Sequence, residues 1–175
     1  MKSKDIKFQI AEVKDADAIT ALVNSVYRGE NSKKGWTTEA DFLEGIRITS
    51  EKVKEIIAKK SDVIILAIES DGIIGCVHLE NAGMYSYLGM LSVDVNFQDK
   101  GIGRQLLGEC ERYTREVWGL YEVRMKVINR RVELIEYYKR RGYHSTGEIE
   151  EFGSHGETFG DTKEKLFFEV LAKKL

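Results

Sequence analysis

At 175 residues the chain is long enough for one domain with a substantial core, and its 42% hydrophobic and 32% charged residues are an ordinary soluble composition. A net charge of −2 gives no global bias toward nucleic acid. No apolar run approaches the roughly 18 residues needed to span a membrane, the first five residues lack the apolar core of a signal peptide, and Cys76 and Cys110 match no metal or redox spacing. The expectation is a cytoplasmic protein with reduced, buried thiols, no metal, no membrane and no nucleic-acid partner.

Residues 6–13 read as a first strand. Asp15 can cap a helix running through Tyr27, with Ile19, Leu22, Val23 and Val26 at helical spacing. A polar, glycine-marked stretch, 28–36, comes next. Thr37 or Thr38 is placed to cap a short helix through about Arg47, and Ser50 to start another with Val53, Ile56 and Ile57 on one face. Trp36 needs cover for its ring. The segment 28–50 therefore reads either as a solvated connection or as a wall of a substrate site.

The run 62–69 holds Val63-Ile64-Ile65-Leu66-Ala67-Ile68, as expected of a strand covered on both faces. Asp71-Gly72 turns the chain back through 73–79, and Asn81-Ala82-Gly83 turns it again into a fourth strand over 85–95. Three strands joined by tight turns form an antiparallel meander. The helix after Gly103 spaces Leu106, Leu107, Cys110, Tyr113, Thr114 and Val117 for burial. Residues 121–128 make a fifth strand, placed parallel to the fourth by a right-handed crossover. A helix over 131–141 stops at Gly142. Strands at 143–149 and 164–171, joined by the loop 152–162, complete a single domain over 1–175.

The loop 98–104 opens a helix, whose first N–H groups are unpaired and whose dipole is positive there, so it suits phosphate. Gly101 and Gly103 allow close approach to the main chain. A dinucleotide loop would need a third glycine where Leu106 stands, and a Walker loop would follow Gly103 with Lys rather than Arg104. Instead Gln98-x-x-Gly101-x-Gly103, after a strand ending Leu91-Ser92-Val93-Asp94, resembles the acyl-CoA signature of the GNAT superfamily of N-acyltransferases. Asn129, ahead of a helix carrying Tyr138-Lys139-Arg140-Arg141-Gly142-Tyr143, is similar to that family's Asn…Tyr-x-x-x-Gly-aromatic element. Val95 and Val132 depart from the family pattern, which often has proline and a small residue there; neither removes a chemical group.

The resemblance implies an α/β (α+β) domain, with a mixed sheet of about seven mostly antiparallel strands, a splayed fourth and fifth pair, and flanking helices. It implies acetyl-CoA as cofactor. The amides of Gln98, Asp99, Lys100, Gly101, Ile102, Gly103 and Arg104 would hold the pyrophosphate, with Arg104 or Lys100 adding charge. Leu91, Ser92 and Val93 would pair with the pantetheine arm, Asn129 would contact the cofactor, and Tyr138 would stand beside the thioester sulfur. From spacing alone, Tyr138 faces inward, four residues after Leu134 and three after Ile135, with Tyr137 as the competing residue. A core tyrosine is the plain alternative.

The implied reaction transfers an acetyl (acyl) group to the primary amine of a small-molecule acceptor, by direct attack in a ternary complex. An aliphatic amine of pKa near 10.4 is only about one part in 2,500 neutral at pH 7, a deficit of roughly 4.6 kcal/mol. A carboxylate, or a water held by one, should therefore accept the proton. Glu80 is the first candidate, Asp94 the second and His78 an outsider. A fourth-strand amide such as that of Val93 would serve the thioester oxygen. Glu30, Trp36, Arg47 and the loop around His155 are expected at the acceptor end, where an acidic acceptor would use Arg47 and a cationic one Glu30 or Glu151. A homodimer is compatible with the sequence. The rival reading is a CoA- or acyl-CoA-binding sensor without turnover, which Tyr138 disfavours. A dinucleotide oxidoreductase would respond to a nicotinamide cofactor and not to CoA.

Overall fold

The computed structural model describes residues 5–152, 161–162 and 165–175. Strand β1, Lys7–Ile10, is shorter than the 6–13 expected, because the chain leaves through a 3-10 turn at Val13–Asp15 that the Asp15 carboxylate closes on the Glu12 N–H at 2.8 Å. Helix α1, Ala16–Tyr27, buries Ile19, Leu22, Val23 and Val26 as its periodicity requires. The single turn α2, Gly29–Ser32, follows. The helix expected from Thr37 or Thr38 to Arg47 does not form. The Thr38 hydroxyl is shared with that of Ser32 at 2.6 Å and accepts the Ala40 N–H at 3.1 Å. The chain then turns on the Glu39 carbonyl, enters the two-residue strand β2, Leu43–Glu44, and leaves through Gly45 at φ 84°. Local capping chemistry favoured a helix, but ion pairing of the buried Glu39 carboxylate with distant arginines decides the path.

Helix α3, Ser50–Ala58, begins where the Thr49 hydroxyl accepts the Lys52 N–H at 3.2 Å. The meander is β3, Asp62–Glu69, β4, Gly72–Asn81, and β5, Ser86–Val93, all antiparallel. Along β3, Ile65 and Ala67 pack into one apolar cluster with Leu106 and Cys110, while Ile64 and Leu66 pack into another with Ile19 and Val53. That is why the run is apolar at every position. Helix α4, Ile102–Glu116, crosses to β6, Glu122–Ile128, which runs parallel to β5. It buries Leu106, Leu107, Cys110 and Thr114, but it ends before Val117, which is exposed. Helix α5, Val132–Lys139, gives way to Gly142 at φ 93°. Strands β7, His144–Glu151, β8, Asp161–Thr162, and β9, Phe167–Lys174, complete the order.

The main sheet has seven strands ordered β1-β3-β4-β5-β6-β9-β7, and β2 pairs with β8 apart from it. The mixed, mostly antiparallel sheet expected from the sequence is therefore present. No helix among the described residues is long and apolar enough to cross a membrane.

One irregularity positions everything that follows. The ladder between β5 and β6 covers only Ser86–Leu88 against Val123–Met125. Beyond it, β6 pairs with β9 alone and β5 with β4 alone. Between the pairs Cys76↔Ser92 and His78↔Gly89, Val77 faces both Met90 and Leu91, and Met90 takes φ 54°. This is a β-bulge, which bends and further twists its strand. It turns the end of β5 away from β6 and opens a wedge between two strands that began as neighbours.

Candidate functional site: a wedge between β5 and β6

Two cavities occupy the wedge. The first, about 320 Å³, lies against the loop that starts α4. The Gln105 N–H makes the first intrahelical bond, to Gly101 at 3.1 Å. The amides of Ile102, Gly103 and Arg104 thus have no partner within the helix. Gly101, at φ 78°, lets the chain turn into the helix, and no acidic side chain stands in its first turn. A Cβ on Gly103 would come within 3.3 Å of the Tyr137 hydroxyl, so its absence lets that ring close over the start of α4.

The anionic character expected of a ligand here has a second support. Arg141 lines the first cavity, its guanidinium carbon 3.5 Å from the centroid of the Tyr137 ring and its Nη1 donating to the Tyr137 carbonyl at 2.9 Å. Its Nε is, among the described residues, the buried side-chain polar atom without a hydrogen-bond partner. Helix-start amides, Arg104 and an uncommitted Arg141 N–H fit a phosphate-bearing group. Lys100 lies outside the lining, its ammonium 4.8 Å from the Phe97 ring centroid.

Strand β5 supplies the opposite wall. The Asp94 N–H bonds back to Ile74 on β4 at 2.9 Å. Alternation along the strand then turns the main-chain groups of Val93 and Leu91 toward the wedge. Their carbonyls are both engaged: Tyr27 donates its hydroxyl to Leu91, and the Gln98 amide donates to Val93 at 3.1 Å. The N–H groups of Leu91 and Val93 remain as the donors on that edge. Ser92 points the other way; its side chain is buried and its hydroxyl donates to Met90 at 3.0 Å.

Gln98 has a role its sequence position did not disclose. Besides Val93, its amide nitrogen donates to the Thr37 hydroxyl at 3.3 Å, and its oxygen accepts the Trp36 N–H at 3.4 Å. It ties the 36–37 segment to the end of β5. Trp36, expected at the acceptor end, accordingly lines the first cavity and not the second, its ring 5.2 Å from that of Tyr137.

The second cavity, about 130 Å³, lies deeper between the strands and includes Arg28, Glu39, Arg47 and Lys126. Glu39 is buried between two arginines: Oε2 accepts from Arg28 at 3.3 Å and Oε1 from Arg131 at 3.1 Å. Burial lowers the Arg28 pKa from its ordinary value, against the raising effect of Glu39. Tyr27, Leu91, Arg131, Leu134 and Tyr138 line both cavities, so the two meet at these residues. Burial pushes the Tyr27 hydroxyl up to about 12, and it raises that of Tyr138 well above the ordinary tyrosine value, with Tyr27 adding to the rise.

The remaining candidates stand elsewhere. Glu80 lies outside both linings; it stands on β4 opposite Tyr87, where β5 is still paired with β6. His78 is held at 2.7 Å by the buried Asp62 carboxylate. Asp94 accepts the Asn96 N–H at 2.8 Å in a local turn. Asn129 is exposed, its N–H bound to Phe167 at 2.8 Å, and Arg131 two residues on takes its place in the lining. Glu30 is exposed and paired with Lys33, and Glu151 with Lys165. His155 falls outside the described residues. Sequence reasoning gave no role to Tyr27, Glu39, Arg131 and Arg141; the partners of the first three lie 11 to 92 residues away, whereas Arg141 is held by Tyr137 four residues before it.

The fold and site define an acetyltransferase class of protein. A family model described as the acetyltransferase (GNAT) domain matches residues 30–157. The chain belongs to that family. Among solved structures it is similar to a GNAT-family acetyltransferase from Streptococcus pneumoniae, at 18% identity and a TM-score of 0.69 over 98% of this chain and 100% of that one. It is similar also to an N-acetyltransferase from Staphylococcus aureus, at 16% identity and a TM-score of 0.74 over 97% of each chain. The PaiA N-acetyltransferase from Thermoplasma acidophilum, solved in complex with coenzyme A, matches at 17% identity and a TM-score of 0.69 over 98% of this chain and 99% of that one. No curated protein sequence matches.

Proposed function

We propose that this protein is an N-acetyltransferase that uses acetyl-CoA to acetylate a primary amine of a small molecule, by direct attack in a ternary complex. The observation that carries this reading is the meeting of two cavities at Tyr138, one suited to phosphate and the other polar and smaller. Bound acetyl-CoA supplies an acetyl thioester, electrophilic at its carbonyl carbon, and a thiol as leaving group. The amides at the start of α4, Arg104 and Arg141 would hold its phosphates, a role supported by the unpartnered Arg141 Nε.

The N–H groups of Leu91 and Val93 are suited to donate to the thioester oxygen as negative charge gathers there. Tyr138, kept protonated by burial, can donate a hydrogen bond to the departing sulfur. Even with free-solution values near 10 for tyrosine and 8.5 for a thiol, full transfer of its proton is uphill by roughly 2 kcal/mol. A raised tyrosine pKa makes the step steeper. Tyr138 therefore acts by hydrogen bonding, and the proton lost from the attacking amine ends on the thiol through solvent.

The test is thiol release from acetyl-CoA across an amine panel, with cofactor affinity measured in parallel by thermal shift. Tyr138→Phe is expected to lower turnover by about a hundredfold, the value of one lost transition-state hydrogen-bond donor, while acetyl-CoA still stabilises the protein. An unchanged rate removes Tyr138 from the mechanism. Stabilisation by acetyl-CoA without thiol release from any amine would favour a sensor.

A further inference from the structure

Resting on that reading, we propose that the acceptor is a carboxylate-bearing amine of amino-acid size, and that Arg47 receives its carboxylate. The second cavity holds about 130 Å³, well under the roughly 300 Å³ at which pockets for drug-sized molecules begin. Among the described residues, four cationic side chains, Arg28, Arg47, Lys126 and Arg131, share its lining with one carboxylate, Glu39.

Three of the four cations are committed. Arg28 and Arg131 divide the two oxygens of Glu39 between them, and the Lys126 ammonium lies 2.7 Å from Glu150. Arg47 makes no ion pair among the described residues. Its guanidinium carbon lies 5.9 Å from the centroid of the Tyr27 ring, beside the junction of the two cavities. Its main chain is fixed, because Asn24 Oδ1 accepts the N–H of Arg47 at 2.7 Å and of Ile48 at 3.1 Å. The guanidinium thus projects from an anchored residue. Glu80 and Glu150 also bear on Tyr87, with the opposite sign to Arg47, and Glu150 is itself paired with Lys126.

A guanidinium presents paired N–H donors in the geometry of a carboxylate. A dication would meet repulsion here. The same field serves the chemistry. Both oxygens of Glu39 are taken by arginines, so among the described residues the cavity lining offers no free carboxylate as base. Nearby cations disfavour an ammonium. Pairing the acceptor's own carboxylate with Arg47 also removes the attraction by which that carboxylate would keep its amine protonated. Charge in the cavity therefore does part of the work that the sequence assigned to a general base.

The experiment compares free amino acids with their carboxamide twins, in wild type and in Arg47→Gln. Thiol release gives kcat/KM, and calorimetry with CoA present gives acceptor binding. Comparing the acid-to-amide ratio between proteins cancels the difference in amine basicity. Wild type is expected to prefer at least one acid over its amide by tenfold or more. In Arg47→Gln that preference shrinks about tenfold, mainly through KM, and Arg47→Lys restores part of it. An equal ratio in both proteins, or a preference for amides, overturns the proposal. If no acceptor releases thiol, the acetyltransferase reading fails on its own. The carboxylate site then stands only if acids bind wild type more tightly than Arg47→Gln, and falls if they do not.

Discussion

The hydroxyl of Tyr27 donates to the main-chain oxygen of Leu91, joining the last residue of α1 to the bulged half of β5. Sixty-four positions separate them, and both residues line both cavities. The bond meets a carbonyl that β6, having left the ladder, no longer meets. Tyr27→Phe removes the donor and leaves that carbonyl unpaired, at a cost of about 1–2 kcal/mol. The expected result is a lower urea midpoint with an unchanged slope, and a severalfold higher KM for acetyl-CoA. If both stay at wild-type values, the hydrogen bond does not hold the strand edge.

Glu39 is the second control point. Its side chain is 10% exposed, and those of Arg28 and Arg131 are 4% and 8% exposed. Removing one partner from such a group strands charge in a poorly solvated place, which costs about 3–5 kcal/mol. Glu39→Gln should therefore destabilise the fold by about 3 kcal/mol. Adding Arg131→Gln should recover part of that loss, because it withdraws a cation that Glu39 no longer balances. Urea denaturation of both single variants and the double variant measures the coupling. Additive losses would mean that Glu39 and Arg131 act independently.

The contrast between Gln98 and Glu39 explains how much the residues alone disclosed. The meander, the crossover helix and the glycine loop are written in local chemistry: turn pairs, a period of 3.6, a glycine before a helix. Each could be read without knowing the rest of the chain. Glu39 looked like part of a capped helix because its decisive partners, Arg28 and Arg131, lie 11 and 92 residues away. Glu80 looked like a base because strand alternation gives the face of a residue but not where a wedge will open. The wedge itself had one local sign, Gly89 inside a strand, which often marks a bulge; the left-handed residue turned out to be its neighbour Met90. Arg47 was expected at the acceptor end and lines the second cavity, yet its lack of an ion pair could be known only once every described carboxylate had been located.

Burial of phenols makes the fold sensitive to alkali. Desolvation raises Tyr27 and Tyr87 to about 12, and raises Tyr138 and Tyr143 above their ordinary value as well, with Glu111 adding to the last. The unfolded chain releases these protons near pH 10. Above that pH the folded state binds more protons than the unfolded one, so stability is fully present below about pH 10 and declines as the pH climbs toward 12. Each such tyrosine contributes up to about 1.4 kcal/mol per pH unit within the window. Urea midpoints should be level between about pH 8 and 9.5 and fall steeply by about pH 11. Four of the eight tyrosines should ionise only with unfolding, seen as a lag in the phenolate absorbance. Full titration of all eight before any loss of structure would contradict their burial.

Gly35 and Gln98 test whether the 36–37 segment must be tied to β5 for the cofactor to bind. A Cβ on Gly35 would stand 2.5 Å from Gln98 Oε1 and 2.9 Å from Nε2, closer than side chains pack. The Gln98 amide cannot yield freely, since it bonds Trp36, Thr37 and Val93 at once. Gly35→Ala should therefore break that bridge at a cost of about 1–2 kcal/mol, loosen Trp36 over Tyr137, and raise the dissociation constant for acetyl-CoA severalfold. Gln98→Ala should do the same by deleting the bridge directly. The informative variant is the double one. With no amide left to clash, Gly35→Ala should add almost nothing to Gln98→Ala, giving a strongly non-additive cycle. Calorimetric titration with acetyl-CoA and thermal unfolding of the four proteins read it out. Additive effects would show that Gly35 is needed for some reason other than the approach of Gln98.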